Sequence, residues 1–204
     1  MFFIRSWLGT IWIYFWIGFG VVATCVFGWF VPQKWVVFFW NRLLLRIALW
    51  GLRVFGGIEI EVRGRQYIDQ ERAVYASKHE SALETYAMTT IITRGVMILK
   101  KELLYIPFFG WAQWLYGLIP VDRGAGARAM KKMLAAAKKR VEEKRPIIIF
   151  PEGHRMKPGT TQKYKPGFFF MAQNLKLPVI PVALNTGMFW PRSSTRHFPG
   201  KVIV

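Results

Sequence analysis

From Trp7 to Val31 the chain carries no charged side chain; Arg5 precedes this run and Lys34 follows it. About 20 apolar helical residues cross a bilayer core, so the stretch is long enough to span. Its aromatics (Trp7, Trp12, Tyr14, Phe15, Trp16, Trp29 and Phe30) are spread along it rather than confined to two interfaces. Gly18 and Gly20 at its middle permit a bend. A re-entrant or interface-lying hairpin therefore competes with a straight span, which the length favours. The run is too long for the core of a signal peptide, and Cys25-Val26-Phe27-Gly28 is not a convincing small-x-small cleavage site. Beyond Pro32 the pattern changes. Between Trp35 and Phe55 the charges are Arg42, Arg46 and Arg53, spaced by four and seven residues. That spacing places them on one helical face, with Leu, Ile, Phe and Trp around the rest. It predicts an amphipathic helix on a membrane surface with its arginines toward lipid phosphates; the alternative is a buried helix with a narrow solvated edge. Arginines after the first segment favour a cytoplasmic remainder.

After Gly56-Gly57 the periodicity becomes that of an α/β domain. Residues 1–55 read as membrane-embedded or interfacial helices and 56–204 as a separate domain. Ile58 to Arg63 alternates with period two and predicts a half-exposed strand. Ala73 to Ala76 predicts a buried strand, followed by a helix through about Thr90. Further strands are expected at Val96–Leu99, Ile119–Val121, Pro146–Phe150 and Val179–Leu184. A Trp-rich stretch from Leu103 to Gly117 contains Pro107 and predicts a broken helix. Arg128 to Lys144 is the clearest helix, with Met130, Met133, Leu134, Ala137 and Val141 on one face and lysines on the other. A Gly- and Lys-rich loop, Gly153 to Gly167, precedes a helix through Asn174. The apolar Val202-Ile203-Val204 either closes the sheet or precedes residues not in this sequence. Strands alternating with helices imply an αβ sandwich.

Composition narrows the partners. The formal net charge is +18, from 29 Lys and Arg against 11 Asp and Glu. Basic chains seek anions: nucleic acid, acidic lipid or phosphorylated small molecules. Apolar residues make up 53% of the chain, with ten Trp and seventeen Phe, and the greasy amino-terminal stretch favours a lipid surface over nucleic acid. No nucleic-acid recognition signature is present. The single Cys25 excludes an internal disulfide. No His, Cys and Asp cluster has metal-ligand spacing. Gly124-Ala125-Gly126 lacks the rest of a dinucleotide fingerprint or P-loop, so no metal or cofactor is expected.

The candidate chemistry sits at predicted strand ends, where α/β proteins bind ligands. His79 and Glu84 follow the first buried strand. A carboxylate against an imidazole holds its tautomer, so that the neutral ring can take a proton from a hydroxyl near neutral pH, and stabilises the protonated ring that results. Five residues along one helix rotate by roughly 140°, so the pair meets only if His79 precedes the helix. The same residues match a capping box, Ser81-Ala82-Leu83-Glu84, in which Glu84 merely satisfies a backbone N–H. Glu152, Gly153 and Arg155 follow another buried strand. Gly153 lets backbone approach a ligand, and Arg155 offers a planar fork to a phosphate. Lys100 and Arg123 end two further strands. His154 reads as a neighbour, and nothing is assigned to His197.

Taken in order, these blocks resemble the glycerolipid acyltransferase family, in particular its bacterial 1-acylglycerol-3-phosphate acyltransferases. The family's His-x4-Asp motif is similar to His79…Glu84. Its second motif, ending in an arginine after a glycine, resembles Gly117-Leu118-Ile119-Pro120-Val121-Asp122-Arg123. Its Phe-Pro-Glu-Gly-Thr-Arg motif resembles Phe150-Pro151-Glu152-Gly153-His154-Arg155, and its Val-Pro strand element resembles Val179-Ile180-Pro181-Val182. Glu84 replaces the usual Asp, lengthening the arm by one methylene, and His154 replaces Thr. The resemblance implies a glycerolipid-acyltransferase-like αβ sandwich with an amino-terminal two-helix membrane element. It implies catalytic His79 and Glu84, and substrate contacts from Lys100, Arg123, Glu152, Gly153 and Arg155. The implied reaction moves an acyl chain from acyl-CoA or acyl-carrier protein to the sn-2 hydroxyl of lysophosphatidic acid, making phosphatidic acid at the cytoplasmic face of a bacterial inner membrane. Another lyso-lipid acceptor, such as a lyso-ornithine lipid or a lysophospholipid, and a non-catalytic basic lipid-binding tether are the alternatives.

Overall fold

The structure, a computed structural model, describes residues 2–68, 71–192 and 194–204. Its centre is a five-stranded sheet built from β2 (Val74–Ser77), β3 (Val96–Lys100), β4 (Ile119–Val121), β5 (Ile147–Ile149) and β6 (Val179–Val182), in the order β4-β3-β5-β2-β6. Every pairing is parallel, so all five carboxyl ends lie on one edge. The apolar runs of the central strands follow from burial on both faces. Tyr75, Met97 and Ile148 point into one core, whereas Val74, Val96, Ile147 and Ile149 point into the other.

The second of these cores is closed by α6 (Gly126–Glu142) and α7 (Gly167–Leu175), through Met133, Ala137 and Val141 of α6 and Met171 and Ala172 of α7. The lysine face of α6 is left to solvent, as its periodicity predicts. The first core is closed by α4 (Leu83–Ile91) and by the amino-terminal helices. The broken helix resolves into a 3-10 turn, Lys101–Tyr105, and α5 (Phe109–Tyr116), separated around Pro107.

The amino-terminal segment is an antiparallel hairpin. Helix α1 (Phe2–Phe27) turns at residues 28–32 and returns as α2 (Gln33–Phe38), a π-helical turn (Phe39–Leu44) and α3 (Leu45–Gly56). Trp12 Nε1 donates to Ile47 O at 3.0 Å, and Trp40 Nε1 to Thr24 Oγ1 at 2.9 Å. Arg5 donates to Val54 O and Phe55 O, which brings the two ends of the hairpin together. Both arms are long and apolar enough to cross a membrane. Neither stands free of the domain. Thr10 Oγ1 donates to Thr195 O at 2.6 Å, the His197 N–H donates to Ser6 Oγ at 2.7 Å, and Tyr14 packs edge-on against Trp190. On the other arm Asn41, in the π turn, accepts from Tyr116 Oη at 2.8 Å, and Gln33 accepts from Arg140 and Arg145. Arg42, Arg46 and Arg53 are all exposed, as their spacing predicts.

One expectation is corrected. The terminal strand, β7 (Gly200–Ile203), does not close the main sheet. It pairs in parallel with β1 (Ile58–Glu61) to make a separate two-stranded sheet, Ile60 opposite Val202. Ile58 and Val202 are both buried there in the core under the hairpin.

Candidate active site

β2 ends at Ser77 and α4 begins at Leu83, so His79 lies in the connecting turn and Glu84 in the first helical turn. His79 Nδ1 and Glu84 Oε1 are 2.7 Å apart. The same oxygen accepts from the backbone N–H of Glu80 at 2.8 Å and of Ser81 at 2.7 Å. Oε2 accepts from Thr186 Oγ1 at 2.7 Å. Capping the turn and holding the His79 ring are therefore not rival readings of Glu84; one carboxylate does both. The backbone and Thr186 partners are donors, so the carboxylate acts as an acceptor, Nδ1 carries the hydrogen and Nε2 is left with its lone pair. The imidazole stacks on Phe150 at 4.2 Å and 21°. Two adjacent strand ends thus fix the ring, one holding its edge and the other its face.

Glu152 is buried and sits behind His79. It accepts from the His79 N–H at 2.7 Å and from Lys78 Nζ at 3.1 Å. Lys78 Nζ also donates to Thr160 O at 2.9 Å, and Met156 N–H to His79 O at 2.6 Å. These bonds clamp the turn that carries His79 to the loop after β5. Gly153 has a φ of +75°, and an added Cβ would approach the Lys165 side chain. Both residues are expected from sequence to contact substrate. Neither lines the cavity beside His79; the contacts that the structure gives Glu152 hold the turn.

That cavity, about 330 Å³, is lined by His79 and Arg155 and by mostly apolar side chains, with the neutral polar Ser81, Thr85, Thr89 and Gln113 among them. Met97 and Leu99 of β3, Phe109 and Tyr116 of α5, and Ile17 and Trp40 of the hairpin line it. Burial pushes the phenols of Tyr86 and Tyr116 up to about 12, so they stay neutral hydroxyls. Among the described residues, Arg155 is the one Lys or Arg that lines the cavity. Its guanidinium donates to Arg192 O at 3.3 Å, and Arg192 donates back to Arg155 O at 2.8 Å.

Lys100 and Arg123 share the active edge but not the cavity. At about 4.8 Å between strands, β3 lies roughly 10 Å and β4 roughly 14 Å along the edge from β2. Lys100 is exposed, 3.8 Å from Glu102; Arg123 is exposed in the turn after β4. The next lysine, Lys101, is turned inward by the 3-10 helix and pairs with Asp122 at 2.5 Å beside Arg128 and Lys132. That partner raises the pKa of Lys101 and lowers that of Asp122. Sequence reasoning missed Lys78, Phe150 and Thr186 as supports. Thr186 had a usable signal, since it follows the carboxyl end of β6.

His154 is exposed. His197 is fully buried against Trp190, with ring centroids 4.1 Å apart, and neither ring nitrogen has a partner among the described residues. Burial holds its pKa down to about 4.

Residues 59–185 match the model of the Acyltransferase family. The chain belongs to the acyltransferase family. It is 37% identical over 175 residues to a 1-acyl-sn-glycerol-3-phosphate acyltransferase of Pseudomonas aeruginosa, covering 86% of this chain and 65% of that protein. It is 31% identical to the Cocos nucifera enzyme of the same name over 161 residues, 78% of this chain and 51% of that one. The chain therefore spans about half to two thirds of these relatives. The crystal structure of the 1-acyl-sn-glycerophosphate acyltransferase PlsC from Thermotoga maritima superposes with a TM-score of 0.76 at 22% identity, covering 98% of this chain and 83% of that one. The fold of this acyltransferase is accordingly the αβ sandwich with an amino-terminal helical hairpin.

Proposed function

We propose that this acyltransferase moves an acyl chain from a thioester, acyl-CoA or acyl-carrier protein, to the sn-2 hydroxyl of 1-acylglycerol 3-phosphate. The observation that carries the reading is the 2.7 Å contact between His79 and a carboxylate already held by Glu80, Ser81 and Thr186. His79 Nε2 takes the hydroxyl proton as the oxygen attacks the thioester carbonyl carbon. The tetrahedral adduct collapses with cleavage of the C–S bond, and the leaving thiolate takes the proton back from the imidazolium. Glu84 stabilises the imidazolium between the two steps. An acyl-enzyme is not needed. The chain's single cysteine, Cys25, lies in α1, with Sγ 3.2 Å from Phe108 O.

The backbone N–H groups of His79, Glu80, Ser81 and Gly153 are already bonded to Glu152, Glu84, Glu84 and Phe150 O. They are therefore not open to a transient oxyanion, and Arg155 is the charged donor at the cavity mouth. Arg155 would hold the acceptor's phosphate in a planar fork, with Arg123 and Lys100 acting at longer range along the same edge. The apolar cavity takes an acyl chain. The hairpin seats the protein on the cytoplasmic face of a bacterial inner membrane, both ends on one side, where lyso-lipid is supplied.

The deciding experiment follows thiol release from an acyl-CoA, with and without lysophosphatidic acid, in the wild-type protein and His79→Ala. Release that depends on acceptor and is lost in the variant is expected. Wild-type protein inert toward both acyl-CoA and acyl-carrier protein, with every lyso-lipid offered, would overturn the reading in favour of a lipid-binding tether.

A further inference from the structure

Helix α5 has two unlike faces. Phe109, Ala112, Gln113 and Tyr116 face the cavity beside His79. Trp111 and Trp114 face outward, 50% and 61% exposed, and the segment before them presents Tyr105, Ile106 and Phe108 at 74%, 46% and 54%. Indoles three residues apart lie on one side of a helix. Large apolar groups exposed side by side mark a surface built for something other than water.

Two observations indicate what covers this surface. First, it is continuous with the tip of the hairpin. Trp114 and Trp29 lie 5.6 Å apart at 30°, Cys25 Sγ meets Phe108 O at 3.2 Å, and next to Trp29 the ring of Phe30 is 85% exposed. Second, Phe108 has a φ of +60°. Non-glycine residues rarely adopt this conformation, and here it breaks the chain at α5 and turns a phenyl ring outward. The aromatic chemistry is that of a membrane interface, where amphipathic rings are favoured. The exposed Lys100, five residues before Tyr105 on a chain of net charge +18, complements an anionic lipid surface.

We infer that residues 105–114 are a second membrane-inserting element, docking beside the hairpin tip into an anionic bilayer interface. This rests on the membrane reading of the hairpin. With the segment inserted, only α5 separates the lipid from the cavity that opens at His79, and an acceptor reaches the site from within the leaflet.

The test uses the full chain. In a Cys25→Ala background an environment-sensitive fluorophore is attached at Trp111→Cys, at Phe30→Cys on the hairpin tip, and at Ala135→Cys on the exposed face of α6. Vesicles of phosphatidylethanolamine and phosphatidylglycerol are then added, with and without nitroxide-bearing lipid. The expected result is a blue shift and lipid quenching at 30 and 111, with neither at 135. Entry at 30 with a water-like signal at 111 overturns this inference and leaves the hairpin's membrane role standing. Entry at neither position overturns both. Shielding at 111 that depends on protein concentration and needs no vesicles assigns the surface to a second copy of the chain, and also overturns it. Independently, Trp111→Ser with Trp114→Ser should lower vesicle partitioning by about tenfold or more, from the loss of two buried indoles. Turnover of a dispersed, short-chain acceptor in solution should be retained. Unchanged partitioning by the folded double variant would count against the inference.

Discussion

His79 and His197 both pack against an aromatic ring, with centroids 4.2 Å and 4.1 Å away, yet their nitrogens meet opposite surroundings. His79 has a carboxylate at Nδ1 and lines a cavity with its other edge. His197 has no partner at either nitrogen among the described residues, and burial keeps it neutral by pushing its pKa to about 4. Burial alone turns imidazole into packing. A carboxylate at one nitrogen and a cavity beside the ring suit it to the role of base proposed for His79.

The largest effect that sharpens this contrast is on turnover. His79→Ala should lower kcat by about 10²–10⁴-fold, whereas His197→Leu should stay near wild type; equal losses in both would erase the distinction. Next comes Glu84→Gln. The amide can still cap the turn through its oxygen and donate to Thr186, so melting temperature should change little while kcat falls by about 10²-fold. A stability loss that accounts for the whole drop would reduce Glu84 to a cap. Arg155→Ala should raise the acceptor KM by about tenfold or more with the donor KM unchanged. Lys100→Ala and Arg123→Ala should do less, being strands away, and steady-state kinetics in both substrates separates the cases.

The smallest effect is on pH-dependent stability. Because the folded pKa of His197 lies near 4, below the ordinary value near 6.5, the unfolded chain binds more protons between these values. Stability from this site is then intact above about 6.5 and lost as pH falls toward 4, on the order of 2 kcal/mol. Denaturation of His197→Leu across that range should show a flatter acid slope than wild type. A parallel slope would mean that the ring is not the group titrating.

What sequence could reveal was set by distance along the chain. The dyad was legible because both residues lie in one turn and the first turn of one helix. The strands were legible because burial on both faces leaves unbroken apolar runs. The bonds of Glu152 were not legible because its partners, Lys78 and His79, lie more than seventy residues away and no local pattern records which side of a strand end faces the cavity. The pairing of Lys101 with Asp122 was not legible, because the 3-10 turn that sets it leaves no periodic trace. The π turn at Phe39–Leu44 was equally silent; what accompanies it is a tertiary bond from Tyr116 to Asn41. The pairing of β7 with β1 was invisible for the same reason.

The stitches between α1 and the carboxyl-terminal segment also set a timetable. Ser6 and Thr10 bind residues 197 and 195, some 190 positions later. At roughly 5–20 residues per second, α1 leaves the ribosome tens of seconds before these carboxyl-terminal partners exist. During that interval α1 has the returning arm of the hairpin against it, but the face that carries Ser6 and Thr10 lacks its final cover. On the membrane reading proposed above, this ordering brings the nascent chain to lipid before its candidate active site is built, so that the domain is assembled at the place where it would work.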